Sequence, residues 1–308
     1  MILTFLPNPS LDKVSIVRDF DRGGVSYAEQ AQWYAGGKGF HFGRALCRLG
    51  EKPLVIAPLG GATGQFIAGL AAAESIPFDA CWVSQDTRSG HVIIDESSGT
   101  ITELYETGSP PLPQEWQALE KSLAKHLPQA QLLVVCGSFP PGAPQSALAD
   151  LVDQAKEMKV PIFLDSYGSQ LSSAISRRPD GIKINQHEAG DLLGMTIASP
   201  AEALEAALRI QERGALSAVI TLGAQGAVGV DPHGAKFGWL NPPVAGLYPV
   251  GSGDSFFAGL AYGRVNGASF EESTRLGIAT GAANTLTTGP GAVDRETVFQ
   301  LVEKVRPL

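Results

Sequence analysis

Pro249-Val250-Gly251-Ser252-Gly253-Asp254 sets two glycines around a serine, with an aspartate directly behind them and a small, apolar run from Ser255 onward. Glycine has no Cβ, so the backbone there turns sharply and approaches a ligand closely. A helix that starts at this point aims free N–H groups and its positive dipole end at an anion. Asp254 stands beside that anion, where a carboxylate can take the proton of a hydroxyl about to be phosphorylated. The same residues also suit a tight turn whose aspartate caps a buried helix. Both readings begin a helix at the same place.

Five further places carry residue types that do chemistry. Asp12 follows the short apolar run Met1–Leu6 and the turn Pro7-Asn8-Pro9, so it lies where a first buried strand ends, either holding hydroxyls or as a solvated turn residue. Gly36-Gly37-Lys38-Gly39 meets the start of a helix pattern that runs from Phe40 to Leu49 and stops at Gly50. Asn185 and Glu188 are three apart at another helix start, which is the spacing of a capping box and also of a polar pair facing Mg²⁺ and phosphate. Thr221-Leu222-Gly223-Ala224-Gln225-Gly226 reads as a strand and a glycine turn, a plain β-turn or bare backbone under a nucleotide. Arg88 falls between two extended segments, as a surface residue or a ligand contact. No GxxxxGK[ST] loop, GxGxxG, GxSxG or HExxH occurs, and the five histidines are too dispersed for zinc spacing.

The elements that must position these residues follow from periodicity. From about Glu115 helix and strand alternate: Leu132–Cys136, Pro161–Asp165, Gly181–Ile184 and Ala218–Leu222 are strands, with helices at Ala147–Met158 and Pro200–Arg213. Such alternation implies a mainly parallel sheet covered by helices on both faces, with ligands at the carboxyl ends of its strands. Val14–Phe20, Ala28–Tyr34, Ala80–Val83, Gly90–Glu96 and Ile101–Glu106 are extended without intervening long helices and predict a small antiparallel sheet, a flap over the main one. The expected organisation is one domain over residues 1–308, with a β lid from about 13–34 and 88–106.

At 44% apolar and 18% charged residues, the chain has material for a full core and little for disordered tails. The net charge of −8 and the scattered lysines and arginines argue against nucleic acid or an anionic membrane as partner. Three separated cysteines, Cys47, Cys81 and Cys136, read as buried thiols in a reducing compartment. No run reaches transmembrane length, and Met1–Leu6 lacks a basic start and meets Pro7 too soon for a signal peptide, so a cytoplasmic location is expected.

Taken in order, the motifs resemble those of the ribokinase-like PfkB carbohydrate kinases, in the branch of 1-phosphofructokinase, 6-phosphofructokinase and tagatose-6-phosphate kinase. Asn8-Pro9-Ser10-Leu11-Asp12 is similar to NPxLD, Gly36 to Gly39 to GGKG, and Thr87-Arg88 to the TR of that branch. Gly137-Ser138-Phe139-Pro140-Pro141-Gly142 is similar to GSLPPG and Lys183-Ile184-Asn185 with Glu188 to KPNxxE. Thr221 to Gly226 resembles SLGxxG, and Gly251-Ser252-Gly253-Asp254 resembles GAGD. The resemblance implies a ribokinase-like doubly wound α/β fold with a small β lid. It implies ATP and Mg²⁺ as cofactors, allows a monovalent cation such as K⁺, and gives a small sugar or sugar phosphate as substrate. It makes Asp254 the base and the N–H groups of Gly251, Ser252 and Gly253 the anion hole. Asp12, Gly37, Lys38, His41 and Ser138 fall to the sugar, and Arg88 to its phosphate. Lys183, Asn185, Glu188, Thr221, Gly223 and Gly226 fall to the nucleotide, with Glu188 near Mg²⁺ through water. A homodimer through the exposed lid strands is the expected assembly.

This chain departs from the pattern on the acceptor side. His41 stands where an asparagine often follows GGKG, Gly90 replaces the asparagine of TRxN, and Gly24-Val25-Ser26-Tyr27 carries no basic residue. A phosphorylated ketose remains the expected acceptor. The alternatives are an unphosphorylated sugar or a nucleoside, a silent sugar or nucleotide sensor, and an oxidoreductase, against which the missing GxGxxG speaks.

Overall fold

Short runs of Val, Ile and Leu become the strands at the centre of the molecule, and longer amphipathic stretches become the helices that cover them. The computed structural model describes residues 1–308. The first part of the chain forms β1 (Ile2–Phe5), β2 (Ser10–Val17), β3 (Gln30–Gly36), α1 (Lys38–Leu49), β4 (Leu54–Gly60), α2 (Gly61–Ala73), β5 (Phe78–Val83), β6 (Ser89–Asp95) and β7 (Thr100–Tyr105). Then come α3 (Pro113–His126), β8 (Leu132–Cys136), α4 (Ala147–Glu157), β9 (Ile162–Asp165), α5 (Gly168–Ile175), β10 (Gly181–Asn185), α6 (Gln186–Leu193) and α7 (Pro200–Glu212). The chain closes with β11 (Ala218–Thr221), β12 (Ala227–Val230), β13 (Lys236–Leu240), α8 (Ser252–Val265), α9 (Phe270–Asn284), α10 (Arg295–Val302) and β14 (Arg306–Pro307).

Ten strands form the main sheet in the order β14-β13-β12-β11-β10-β9-β8-β1-β4-β5. The seven from β11 to β5 run parallel, and β12, β13 and β14 extend the edge antiparallel. Strand order reverses at β1: the chain moves outward through β4 and β5, then returns to β8 on the other side. A reversal of this kind opens a crevice at the carboxyl ends of the central strands. Successive side chains of β8 point to opposite faces. Leu133 and Val135 join a core under α3, α4, α5, α6 and α7, while Leu132, Val134 and Cys136 join one under α1, α8, α9 and α10. A sheet buried on both faces explains why its strands read as continuous apolar runs.

The second sheet has four strands in the order β3-β2-β6-β7. Two of the sequence expectations for it need correction. The central pair β2–β6 is parallel, not antiparallel, with Leu11 to Val17 in register with Ser89 to Asp95. Parallel neighbours need a crossover, and here the crossover runs through α1, β4, α2 and β5. The stretch Ala80–Val83 belongs to β5 and pairs with β4 in the main sheet. Its short apolar run carries no mark of which sheet it joins. The three thiols are free, with Cys136 buried and Cys47 and Cys81 only half-buried.

Helix α8 lies unusually close to α9. A Cβ at Gly259 would come within 2.9 Å of the Cα of Gly277 and closer still to Thr280 Oγ1, so α8 has no room for a side chain at this position. This contact fixes the axis, and therefore the N-terminus, of α8.

Candidate active site

The carboxyl ends of the parallel strands bring the candidate residues together. Asn8 to Asp12 follow β1, Gly137 and Ser138 follow β8, Asp165 ends β9, Asn185 ends β10 and Thr221 ends β11. Two cavities open here. One, of about 340 Å³, is lined by Asp12, Lys38, His41, Arg88, Ser138 and Asp254 together with Gly37, Gly251 and the lid residues Glu103 and Tyr105. The other, of about 350 Å³, is lined by Thr221, Gly223, Gly226, Ser252 and Gly253 and by the apolar side chains of Val244, Phe256 and Ile278. The N-terminus of α8 stands between them.

Gly251 precedes α8 with φ +78°, a left-handed conformation suited to glycine. The N–H of Ser252 turns back to the Pro249 carbonyl at 3.0 Å. The amides of Gly253 and Asp254 have no backbone partner, as the first turn of a helix requires. Beside them lies Lys183, whose Nζ is 3.2 Å from where a Cβ of Gly253 would stand. The loop is held by a residue that sequence reasoning missed. Asn284, fully buried at the end of α9, donates to the carbonyl of Val250 at 2.8 Å and to Ser252 Oγ at 3.2 Å, and accepts from Ser255 Oγ at 2.9 Å and from Gly291 N–H at 2.7 Å. A lone asparagine closing a helix of small residues gives no local signal of this role.

Asp165 was also missed as a site residue. It is fully buried, with Oδ1 2.6 Å from Lys38 Nζ and Oδ2 2.6 Å from Lys183 Nζ. Lys38 also reaches Glu188 Oε1 at 3.2 Å. Burial alone would lower the Lys38 pKa, but Asp165 and then Glu188 outweigh it and hold the ammonium charged. Burial pushes the Asp165 carboxyl up while Lys183 and Lys38 push it down, and the lysines win. Asn185 and Glu188 do form the capping box: Asn185 Oδ1 accepts from the N–H groups of His187 and Glu188, and Glu188 Oε2 accepts from the Asn185 N–H. Glu188 therefore links the cap to Lys38, just beneath the end of α8. The capping geometry is formed, and the other Glu188 oxygen is the one that meets Lys38. No group of three or more His, Cys, Asp or Glu side chains forms a metal cage.

On the acceptor side, Asp12 Oδ1 accepts from Ser10 Oγ at 2.6 Å and Oδ2 from the Gly37 N–H at 3.3 Å. The His41 ring lies between two carboxylates. Its Nδ1 is 2.9 Å from Asp254 Oδ2. Its Nε2 is 3.1 Å from Asp12 Oδ2, at an angle too poor for a formed hydrogen bond. Burial alone would lower the His41 pKa, yet hydrogen bonding and charge from Asp12 and Asp254 raise it to about 9. Ser138 Oγ accepts from Asn8 Nδ2 at 3.3 Å.

Residues of the second sheet, Glu103 and Tyr105, border the same cavity. Arg88 donates from Nε, Nη1 and Nη2 to the carbonyls of Pro9, Glu106 and Asn8. Its guanidinium also stacks 5.6 Å from the ring centre of Tyr105. Two of its five N–H groups stay free for an anion. Tyr105 sits opposite Gly90 in the β6–β7 register, and a Cβ at Gly90 would lie 2.2 Å from its ring. Burial, then the charges of Asp12 and Asp254, raise the Glu103 carboxyl. Sequence reasoning did not single out Glu103 or Tyr105, because only strand pairing brings them over Asp12.

Known proteins resemble this chain over nearly its whole length. The model of the pfkB family carbohydrate kinases matches residues 8–297. The ATP-dependent 6-phosphofructokinase isozyme 2 of Escherichia coli is 31% identical over 290 residues, 94% of this chain and 93% of the relative. The 1-phosphofructokinase of Borreliella burgdorferi is 29% identical over 286 residues, 93% of this chain and 92% of the relative. The crystal structure of Escherichia coli phosphofructokinase-2 in complex with substrates and products superposes with a TM-score of 0.90 at 30% identity, covering 98% of each chain. With the family model spanning almost its whole length, the chain belongs to the pfkB family of carbohydrate kinases.

Proposed function

We propose that the protein transfers the γ-phosphoryl group of ATP to a hydroxyl of a phosphorylated ketose. The observation that carries this is the pair of cavities meeting at the N-terminus of α8, with Asp254 on one side and the free Gly253 amide between them. A nucleotide fits the second cavity: its base and ribose would lie on Gly223, Gly226 and the apolar wall, and its phosphates would run toward α8. The unpartnered amides of Gly253 and Asp254 and the Lys183 ammonium suit phosphate oxygens. Mg²⁺, when bound, neutralises phosphate charge, and Glu188 is placed to hold it through water.

Asp12 and Ser138 hold acceptor hydroxyls, and the two free N–H groups of Arg88 meet the acceptor's own phosphate. Asp254 takes the hydroxyl proton as the oxygen attacks phosphorus in line. Phosphoryl transfer needs positioning and charge neutralisation more than covalent help. The lid sheet over Asp12 excludes water, which limits hydrolysis of ATP. The names of the relatives, both phosphofructokinases, support a ketose phosphate as acceptor.

A second reading, a kinase of an unphosphorylated sugar, draws support from the spent cations. The Lys38 ammonium is tied to Asp165 and Glu188, and three carboxylates, Asp12, Glu103 and Asp254, face the cavity. An ADP-release assay with Mg-ATP over D-fructose 6-phosphate, D-fructose 1-phosphate, D-tagatose 6-phosphate and the free sugars decides. Turnover with a ketose phosphate at far lower KM than with the free ketose is expected. Turnover with free sugars alone would replace the first reading by the second.

A further inference from the structure

Two carboxylates, Asp12 on β2 and Asp254 on α8, approach opposite nitrogens of one imidazole at 3.1 and 2.9 Å. An ionised carboxylate only accepts hydrogen bonds, and a neutral imidazole has one donor and one acceptor. With His41 neutral, one carboxylate would lie about 3 Å from an unprotonated ring nitrogen, Asp254 along its axis or Asp12 to one side of it, in a place where His41 is 5% exposed and Asp12 is 1% exposed. Only a ring with both N–H groups, or a protonated carboxylate, avoids this repulsion. The other groups facing the ring are Glu103 and Tyr105 from β7, and Lys38 and Arg44 lie one turn away on α1. Lys38 and Arg44 are engaged elsewhere, with Asp165 and with Glu74. Arg88 and Lys38 line the same cavity and act on Asp12 and Asp254 from further away, so His41 is the one basic group in contact with both aspartates, and its raised pKa agrees with a charged ring.

We propose that His41 is the positioning residue for the base: as an imidazolium it fixes Oδ2 of Asp254, leaves Oδ1 as the oxygen that takes the acceptor proton, and lets Asp12 and Asp254 share one pocket. In the step it serves, the acceptor O–H bond breaks and its proton passes to Asp254 Oδ1. The new O–P bond forms as the bond from the γ-phosphorus to ADP breaks. His41 keeps both protons throughout. The inference rests on the reading of Asp254 as base. It also gives a physical sense to the replacement noted at this position, since an asparagine amide carries no charge to set between two carboxylates.

The test compares pH–rate profiles of the wild type and His41→Asn, using D-fructose 6-phosphate and Mg-ATP. In the wild type kcat/KM should fall on the alkaline side with a midpoint near 9, where the ring loses its proton. In His41→Asn that limb should vanish, and kcat at neutral pH should drop about ten- to hundredfold, the worth of a charge-assisted hydrogen bond, with the KM for ATP nearly unchanged. A residue that merely fills space would leave the alkaline limb in place, and that result overturns the proposal. If the variant does not fold, NMR titration of ¹⁵N-histidine in the ligand-free wild type decides. A buried ring titrating well above 6.5 sustains the proposal, and one titrating at or below 6.5 ends it. The ring titration needs no turnover, so a failed kinase reading and a failed His41 assignment give different results.

Discussion

Asp165 shows how one side chain can hold a site without touching what binds there. Its two oxygens pair with Lys38 and Lys183, and the Lys183 ammonium lies beside Gly253 at the start of α8. Removing one partner of a buried ion pair leaves an uncompensated charge, which costs about 3–5 kcal/mol. Asp165→Asn keeps the shape and removes the charge, so urea unfolding should show a loss of that size at neutral pH; a loss under about 1 kcal/mol would mean the lysines find other partners. The pH dependence has a definite sign. The Asp165 carboxyl is held below its ordinary 3.8, so its contribution to stability is present above that value and is lost as the pH falls through the depressed one. Asp165→Asn should lack this acid-limb component.

The lid argues at the scale of elements. Register across β6 and β7 places Tyr105 over Gly90, and the Arg88 guanidinium stacks on the same ring. The three residues form one unit of the acceptor wall. Gly90→Ala should push the ring aside and raise the acceptor KM several-fold, with the KM for ATP unchanged. In a Tyr105→Ala background the same change should do much less, because the obstructing ring is gone and only Asp12 Oδ1, 3.2 Å from the added Cβ, stays close. Additive effects in the double variant would show that the two residues act separately. What the sequence made legible follows the same division. The parallel core, the helix starts at Lys38, Gln186 and Ser252 and the motif residues at strand ends are local patterns, and they were readable. The partners Asp165, Asn284, Glu103 and Tyr105 act across long separations, through contacts that no local period encodes. The parallel pairing of β2 with β6 was hidden for the same reason, since it depends on the path of the chain between them.

At the scale of the whole molecule, two sheets and one helix terminus define the division of labour. The main sheet brings five strand ends to one crevice. Close packing of α8 on α9 aims the free amides of Gly253 and Asp254 into it, and Asn284 locks the turn that precedes them. The second sheet supplies Asp12, Arg88, Glu103 and Tyr105 to or beside the acceptor side, so that acceptor choice and phosphate handling rest on different parts of the fold. Of the departures from the family pattern, Gly90 lies on the second sheet and His41 on α1, and His41 lines the cavity that this sheet borders. No helix is long and apolar enough to cross a membrane.

The central claim is that Asp254 is the base at the meeting point of the two cavities. ADP release by Asp254→Asn, measured beside its ATP affinity, tests that claim most directly. The expected result is an ATP Kd within about twofold of wild type and turnover lower by about 10²–10⁴-fold, the worth of a general base. Turnover near the wild-type rate, with folding and ATP binding intact, would contradict the assignment and move the proton to another group.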